Sequence, residues 1–226
     1  MLILGIDTSG KSGGVTLAET EAGNFRVLGS SAIEGGTFSA QLVPTVANLL
    51  KQNSLHPRDI GGFAVTSGPG SFTGLRVGLS AVKGLAEVLQ KPIVTVSLLE
   101  ALATLSAEDG QVITALDAGR SEVFCGSYEV KNGRAERVTE QLLSASEFVE
   151  EASKPGVTLI LTSDAAVAEK LSAVAAKVNL VPRPDSSLIA EIGSSKLLSG
   201  ETTSVESLDA NYLRRSDAEI FFTGSR

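Results

Sequence analysis

Two stretches of this chain run through the same order of elements, and that repetition limits the fold more than any other feature. In the first half, Leu2 to Asp7 is a short apolar strand ending in a Thr8-Ser9-Gly10 turn, and Gly13 to Ala18 reads as its hairpin partner. A third strand runs from Phe25 to Ile33, followed by a helix over Ser39 to Gln52. In that helix Leu42, Val43, Val46, Leu49 and Leu50 recur at helical spacing. Gly62 to Thr66 is a strand, Ser71 to Leu89 a long helix, Pro92 to Val96 a strand and Leu98 to Ser106 a helix. The second half repeats the sequence of elements. Val112 to Asp117, Glu122 to Tyr128 and Arg134 to Thr139 are strands, the last two joined by an Asn132-Gly133 hairpin signal. Ser146 to Ala152 is a helix, started by Ser144 or Ser146. Strand Val157 to Thr162, helix Asp164 to Ala176, strand Val178 to Val181 and helix Ser186 to Leu198 complete the set.

A repeated order of this kind predicts a duplicated lobe. The strand-end aspartates Asp7 and Asp117 lie 110 positions apart and take matching places in the two halves. The expected fold class is α/β, with duplicated mixed-sheet lobes over residues 1–106 and 107–226 and a boundary near Ala107-Glu108-Asp109-Gly110. Two such lobes facing each other are the plan of the two-lobed actin-like ATPases (the ASKHA, RNase H-like fold), which hold nucleotide in the cleft.

Composition removes several function classes. A chain of 226 residues buries enough surface to fold without disulfides or metal. Its one cysteine, Cys125, excludes an internal disulfide framework and a cysteine zinc cluster. Its one histidine, His56, excludes a two-histidine metal site within one chain. The net charge of −7 is the wrong sign for a protein that grips nucleic acid by itself. No apolar run reaches the roughly 18 residues a membrane span needs, and no basic segment precedes the first strand, so the expectation is a soluble cytoplasmic protein without a signal peptide. His56, before Pro57, is expected at the surface, and Cys125, alternating with Phe124, is expected buried.

The densest motif is Thr66-Ser67-Gly68-Pro69-Gly70-Ser71-Phe72-Thr73-Gly74-Leu75-Arg76-Val77-Gly78, a strand, a glycine-proline loop and a helix start with Ser71 as N-cap. Backbone N–H groups there could hold an anion. Neither common phosphate loop fits. Gly74 is followed by Leu75-Arg76 rather than Lys-Ser/Thr, and Gly68, Gly70 and Gly74 are spaced one residue too wide for a dinucleotide fingerprint. Gly74, Gly78 and Ala81 share one side of the helix, while Arg76, Ser80, Lys83 and Glu87 form a polar stripe. A mid-helix glycine costs about 1 kcal/mol relative to alanine, so the small side needs a close neighbour. Either it packs on the chain's own first helix and the polar stripe faces water, or one of the stripes meets a second chain.

Taken together, Gly68 to Leu79, Ile6-Asp7-Thr8-Ser9, Gln41-Leu-Val-Pro44, Ala115-Leu-Asp-Ala-Gly-Arg120 with Glu122-Val123-Phe124, and Asn211-Tyr-Leu-Arg214 resemble the bacterial TsaB (YeaZ) family over nearly the whole chain. One departure is visible: many members carry a histidine before the first helix, where this chain has Thr37-Phe38-Ser39. The resemblance implies the two-lobed actin-like fold and kinship with TsaD, which transfers a threonylcarbamoyl group to adenosine 37 of tRNAs reading ANN codons, forming t6A. TsaD holds its metal through two histidines on its first helix. Ser39 to Gln52 has none, so the resemblance and the residue count agree on a non-catalytic relative with no metal site and no catalytic residue of its own.

The same resemblance implies a heterodimer with a TsaD-like transferase through first-lobe helices, recruitment of a TsaE-like ATPase, and contact with tRNA only through the complex. The isolated chain is expected to form a homodimer through the same helices. Leu42, Val46, Leu49, Phe72, Leu75, Arg76, Leu79 and Lys83 are the interface candidates. No cofactor is expected on this chain alone, with ATP and magnesium used by the complex. Asp7, Thr8 and Ser9 are candidates for nucleotide binding, because actin-like kinases place a magnesium-positioning aspartate at the end of the first strand. Asp is equally at home there as a turn residue. An autonomous small-molecule kinase is therefore the competing reading. A peptidase reading has only His56 to support it and lacks a Gly-x-Ser-x-Gly elbow.

Overall fold

The computed structural model describes residues 1–21, 24–172 and 174–213. Arg214 of the C-terminal signature and Ala173 of the helix expected over Asp164 to Ala176 lie outside them. The elements are β1 (Leu2–Asp7), β2 (Ser12–Glu21), β3 (Asn24–Glu34), α1 (Phe38–Gln52), β4 (Ile60–Gly68), α2 (Phe72–Leu89), β5 (Ile93–Ser97) and α3 (Leu98–Ala103). The second series is β6 (Gly110–Gly119), β7 (Glu122–Lys131), β8 (Arg134–Ser144), α4 (Ala145–Ala152), β9 (Leu159–Thr162), α5 (Ala165–Lys170), β10 (Lys177–Leu180) and α6 (Ser186–Leu198).

The strand order is β3-β2-β1-β4-β5 in one sheet and, in the same sense, β8-β7-β6-β9-β10 in the other. Each sheet joins an antiparallel three-strand meander to two parallel strands, since β1 pairs antiparallel with β2 and parallel with β4. β6 does the same with β7 and β9. The expected duplication of an RNase H-like, actin-like unit is what the chain forms.

The units do not divide at one point. Met1–Leu98 and Pro184–Asn211 form one, and the described residues of Leu99–Arg183 with Tyr212 and Leu213 form the other. This differs from a division at 106/107 because the helix after each fifth strand leaves its own sheet. α3 joins the second unit, where Leu99 lies against Gly126 of β7. α6 joins the first unit, where Thr16 of β2 meets the Ser186 hydroxyl at 2.8 Å and Thr20 donates to Ser194 at 2.9 Å. Hydrophobic periodicity identifies a helix, but it does not say which sheet the helix covers.

In the first unit, α1 and α2 cover one face of the sheet. Leu42, Val46, Leu49 and Leu50 of α1 and Leu75, Leu79, Val82 and Ala86 of α2 pack on Leu4, Ile6, Val15, Leu17, Phe63 and Val65. The alternate residues of those strands face α6. In the second unit, Ile113, Ala115, Val123, Cys125 and Ile160 pack with Phe148 and Ala152 of α4 and Val167 of α5. α5 ends at Lys170, short of the expected helix, and β8 runs on to Ser144, past the expected end at Thr139, because it stays paired with β7.

Candidate partner-binding surface

The junction from β4 to α2 is built around the turn that follows β1. Ser71 caps α2, its hydroxyl accepting from the Gly74 N–H at 3.3 Å, and its own N–H donates to the Ser9 carbonyl at 2.7 Å. The C-terminal segment closes the other side, where the Asn211 N–H donates to the Ser67 carbonyl at 2.7 Å. A Cβ on Gly74 would lie 2.1 Å from the Thr8 carbonyl oxygen, and one on Gly78 would lie 2.4 Å from Thr8 Oγ1. The small side of α2 therefore meets the Thr8-Ser9 turn of its own chain, and both readings of these glycines, on the first helix or on a second chain, are corrected.

Asp7, Thr8 and Ser9 are all sealed. Asp7 is 2% exposed, and its Oδ1 accepts from the Ser9 N–H at 2.9 Å. The carboxylate thus serves its own turn. Asp117 is not its match. Asp7 alternates with Ile6, which faces α1 and α2, so Asp7 lies on the opposite face. Asp117 has the parity of Ile113 and Ala115, which face α4 and α5. A one-residue offset puts the two aspartates on opposite faces of equivalent sheets. Asp117 has a side chain 46% exposed, lies 3.9 Å from Lys170 Nζ, and its N–H donates to Asp164 Oδ2 at 2.8 Å.

The eight interface candidates separate into two groups. Leu42, Val46, Leu49, Leu75 and Leu79 are core residues, Leu75 being 1% exposed, and they hold α1 and α2 to the first sheet. They cannot present a surface, because periodicity identifies residues that share a helix side without saying whether that side faces a sheet or a partner. Arg76 and Lys83 are exposed and Phe72 is half-buried, with the Arg76 guanidinium 3.8 Å from the Phe72 ring centroid. The Glu206 carboxyl is held below its usual range by its own backbone N–H first, then by Ser204, with the Lys83 charge adding to the effect.

The outward residues that the first reading missed lie one helix side away. On α1 they are Ala40, Val43, Pro44 and Ala47, with Val43 57% exposed. On α2 they are Ser80, Gly84 and Val88, with Val88 80% exposed. Positions 40, 43, 44 and 47 are a second apolar stripe on an already amphipathic helix, and that doubled pattern was the available signal. The sheet covers only one of these two apolar sides.

His56 is exposed and its N–H donates to Asp59 Oδ2 at 2.7 Å in the loop after α1. Cys125 is buried, and desolvation pushes its thiol up to about 12, so it is no nucleophile. Among the described residues no helix is long and apolar enough to cross a membrane.

The family model described as TsaD, tRNA N6-adenosine threonylcarbamoyltransferase, matches residues 35–208. The tRNA threonylcarbamoyladenosine biosynthesis protein TsaB of Bacillus subtilis is 32% identical, over 97% of this chain and 96% of its own length. A tRNA N6-adenosine threonylcarbamoyltransferase of Persephonella marina is 32% identical over 45% of this chain and 33% of its own. The solved structure of YeaZ from Pseudomonas aeruginosa superimposes with a TM-score of 0.76 at 23% identity, covering 93% of this chain and 99% of that one, which fixes the fold. With a relative matched across almost the full length of both sequences, the chain belongs to the TsaB (YeaZ) family.

Proposed function

We propose that this chain is the non-catalytic subunit of a t6A-forming complex, binding a TsaD-like transferase through the outward face of α1 and α2 and working with a TsaE-like ATPase. The coarser part, participation in t6A biosynthesis, follows from family membership. The observation that carries the finer part is the doubly apolar α1, whose Val43 side stays exposed after its Leu42 side has packed on the sheet. Contiguous exposed apolar residues rimmed by charge mark interaction surfaces.

The rest of the molecule fits a subunit without its own chemistry. The one histidine is a surface residue, the one cysteine is buried and protonated, and Asp7 is committed to its turn. In this reading ATP and magnesium belong to the complex, and the net charge of −7 leaves the tRNA to the partner.

Reconstitution tests it. This chain is mixed with TsaD and TsaE from the same organism, ATP, threonylcarbamoyl adenylate labelled in its threonine, and unmodified tRNA. Label should enter tRNA only when chain and transferase are both present, and the chain alone should give none. An unchanged rate when the chain is left out would sink the proposal, and modification by the chain alone would make it an enzyme.

A further inference from the structure

The outer strand of the second sheet carries an extra residue. β8 pairs Thr139 with Ser127 and Arg137 with Tyr128, so Val138 is left over and forms a bulge. The first sheet does the same 110 positions earlier, where β3 pairs Gly29 with Leu17 and Val27 with Ala18 and leaves Leu28 over. What holds the two bulges differs. Leu28 packs against the first core, whereas Val138 is 60% exposed. Its neighbours Glu136, Arg137 and Thr139 are exposed as well, so no apolar pattern fixes this half of the strand. A strand polar on both faces specifies its register weakly, and a slip of one residue turns every side chain over.

Three polar side chains straddle the bulge. Tyr128, fully buried, donates its hydroxyl to Glu140 Oε1. The Arg137 guanidinium lies 3.7 Å from Glu140 Oε2. Residues three apart on a regular strand point to opposite faces. Arg137 and Glu140 meet because they stand opposite Tyr128 and Gly126, which share one face of β7, with the extra residue between them. A bulge moved past either residue would send the guanidinium and the carboxylate to opposite faces. The Glu140 side chain is 2% exposed. A carboxylate so deep costs stability unless it is paired, and a well-packed apolar residue often serves as well or better. Such a group on an edge strand is suited to selecting one arrangement over its alternatives.

We infer that Tyr128, Arg137 and Glu140 form a clamp that locks the bulge between Arg137 and Glu140, and that the locked bulge keeps the open edge of the second sheet from adding a strand of a second copy. A bulge interrupts the row of backbone groups that an added strand needs. With the bulge run out to the end, β8 would offer an uninterrupted edge over its 11 residues.

The test compares full-length wild type, Glu140→Leu and Tyr128→Phe by amide NMR with nuclear Overhauser contacts across β7 and β8, by light scattering and by thermal midpoint. Wild type should give one set of signals, with Ser127 against Thr139. Each variant should stay folded and show a second set over residues 134–139 at about a tenth of the first or more, a gap of at most about 1.4 kcal/mol. Each should also form larger assemblies than wild type at equal concentration. Glu140→Gln, which still accepts from Tyr128, should show a smaller second set than Glu140→Leu. If Glu140→Leu fails to fold, Tyr128→Phe, which keeps the ring, decides on the same readouts. A single set with the Ser127–Thr139 contact kept in the folded variants, or a second set without larger assemblies, overturns the inference.

Discussion

The two sheets have the same strand order, yet the turns that leave their first strands are handled in opposite ways. After β1, the Thr8-Ser9 turn is covered by α2, an 18-residue helix whose glycines let it sit directly on the Thr8 carbonyl and hydroxyl. After β6, Asp117 is half open to solvent beside α5, a helix of 6 residues. A duplicated strand plan therefore does not carry a duplicated site with it. The long, close-packed helices are confined to the first unit, and the same close packing fixes the orientation of their outward sides. The first unit carries long helices over this face, whereas the second carries short helices over the equivalent one.

The sharpest way to break this contrast is to put a side chain where the first unit has no room. Gly74→Ala drives a Cβ toward the Thr8 carbonyl, a backbone atom that cannot swing aside. Urea unfolding should show a loss of about 3 kcal/mol. Ala166→Val on the exposed side of α5 should change stability by less than about 0.5 kcal/mol. Equal losses would show that the two helices are packed alike and would remove the asymmetry.

A smaller effect separates the aspartates. Asp7→Ala leaves the buried Ser9 N–H without its acceptor and should cost about 1–3 kcal/mol. Asp117→Ala removes an exposed ion pair at 3.9 Å and should cost under about 0.5 kcal/mol. If isothermal titration found magnesium-ATP binding to the wild-type chain that Asp7→Ala abolished without loss of stability, Asp7 would be a ligand group and the kinase reading would return.

Much of this was legible from residue order. The span of α6, Ser186–Leu198, and the cap Ser71 follow from side-chain chemistry that acts within a few residues, and Ser144 is one of the two caps that chemistry offers for α4. What was not legible involves a choice between equivalent surroundings. The period of α1 shows that Leu42, Val46 and Leu49 share a side, but an interface and a core ask for the same residues there. Asp7 and Asp117 both end a strand in sequence, and only the pleat shows that one residue of offset sends them to opposite faces. Gly78 signals a close neighbour correctly, but the neighbour is a turn 70 residues earlier.

The central claim is that the outward side of α1 and α2, and not their core side, meets the transferase. Leu75→Asp cannot test it, since that residue is 1% exposed and the chain would unfold. The direct measurement is size-exclusion chromatography with light scattering on the Val43→Asp/Val88→Asp double variant mixed with TsaD at micromolar concentration. Wild type should elute as a one-to-one complex, while the double variant, with an unchanged thermal midpoint, should elute apart from TsaD. A double variant that keeps its fold and still forms the one-to-one complex would contradict the account and move the contact to another face.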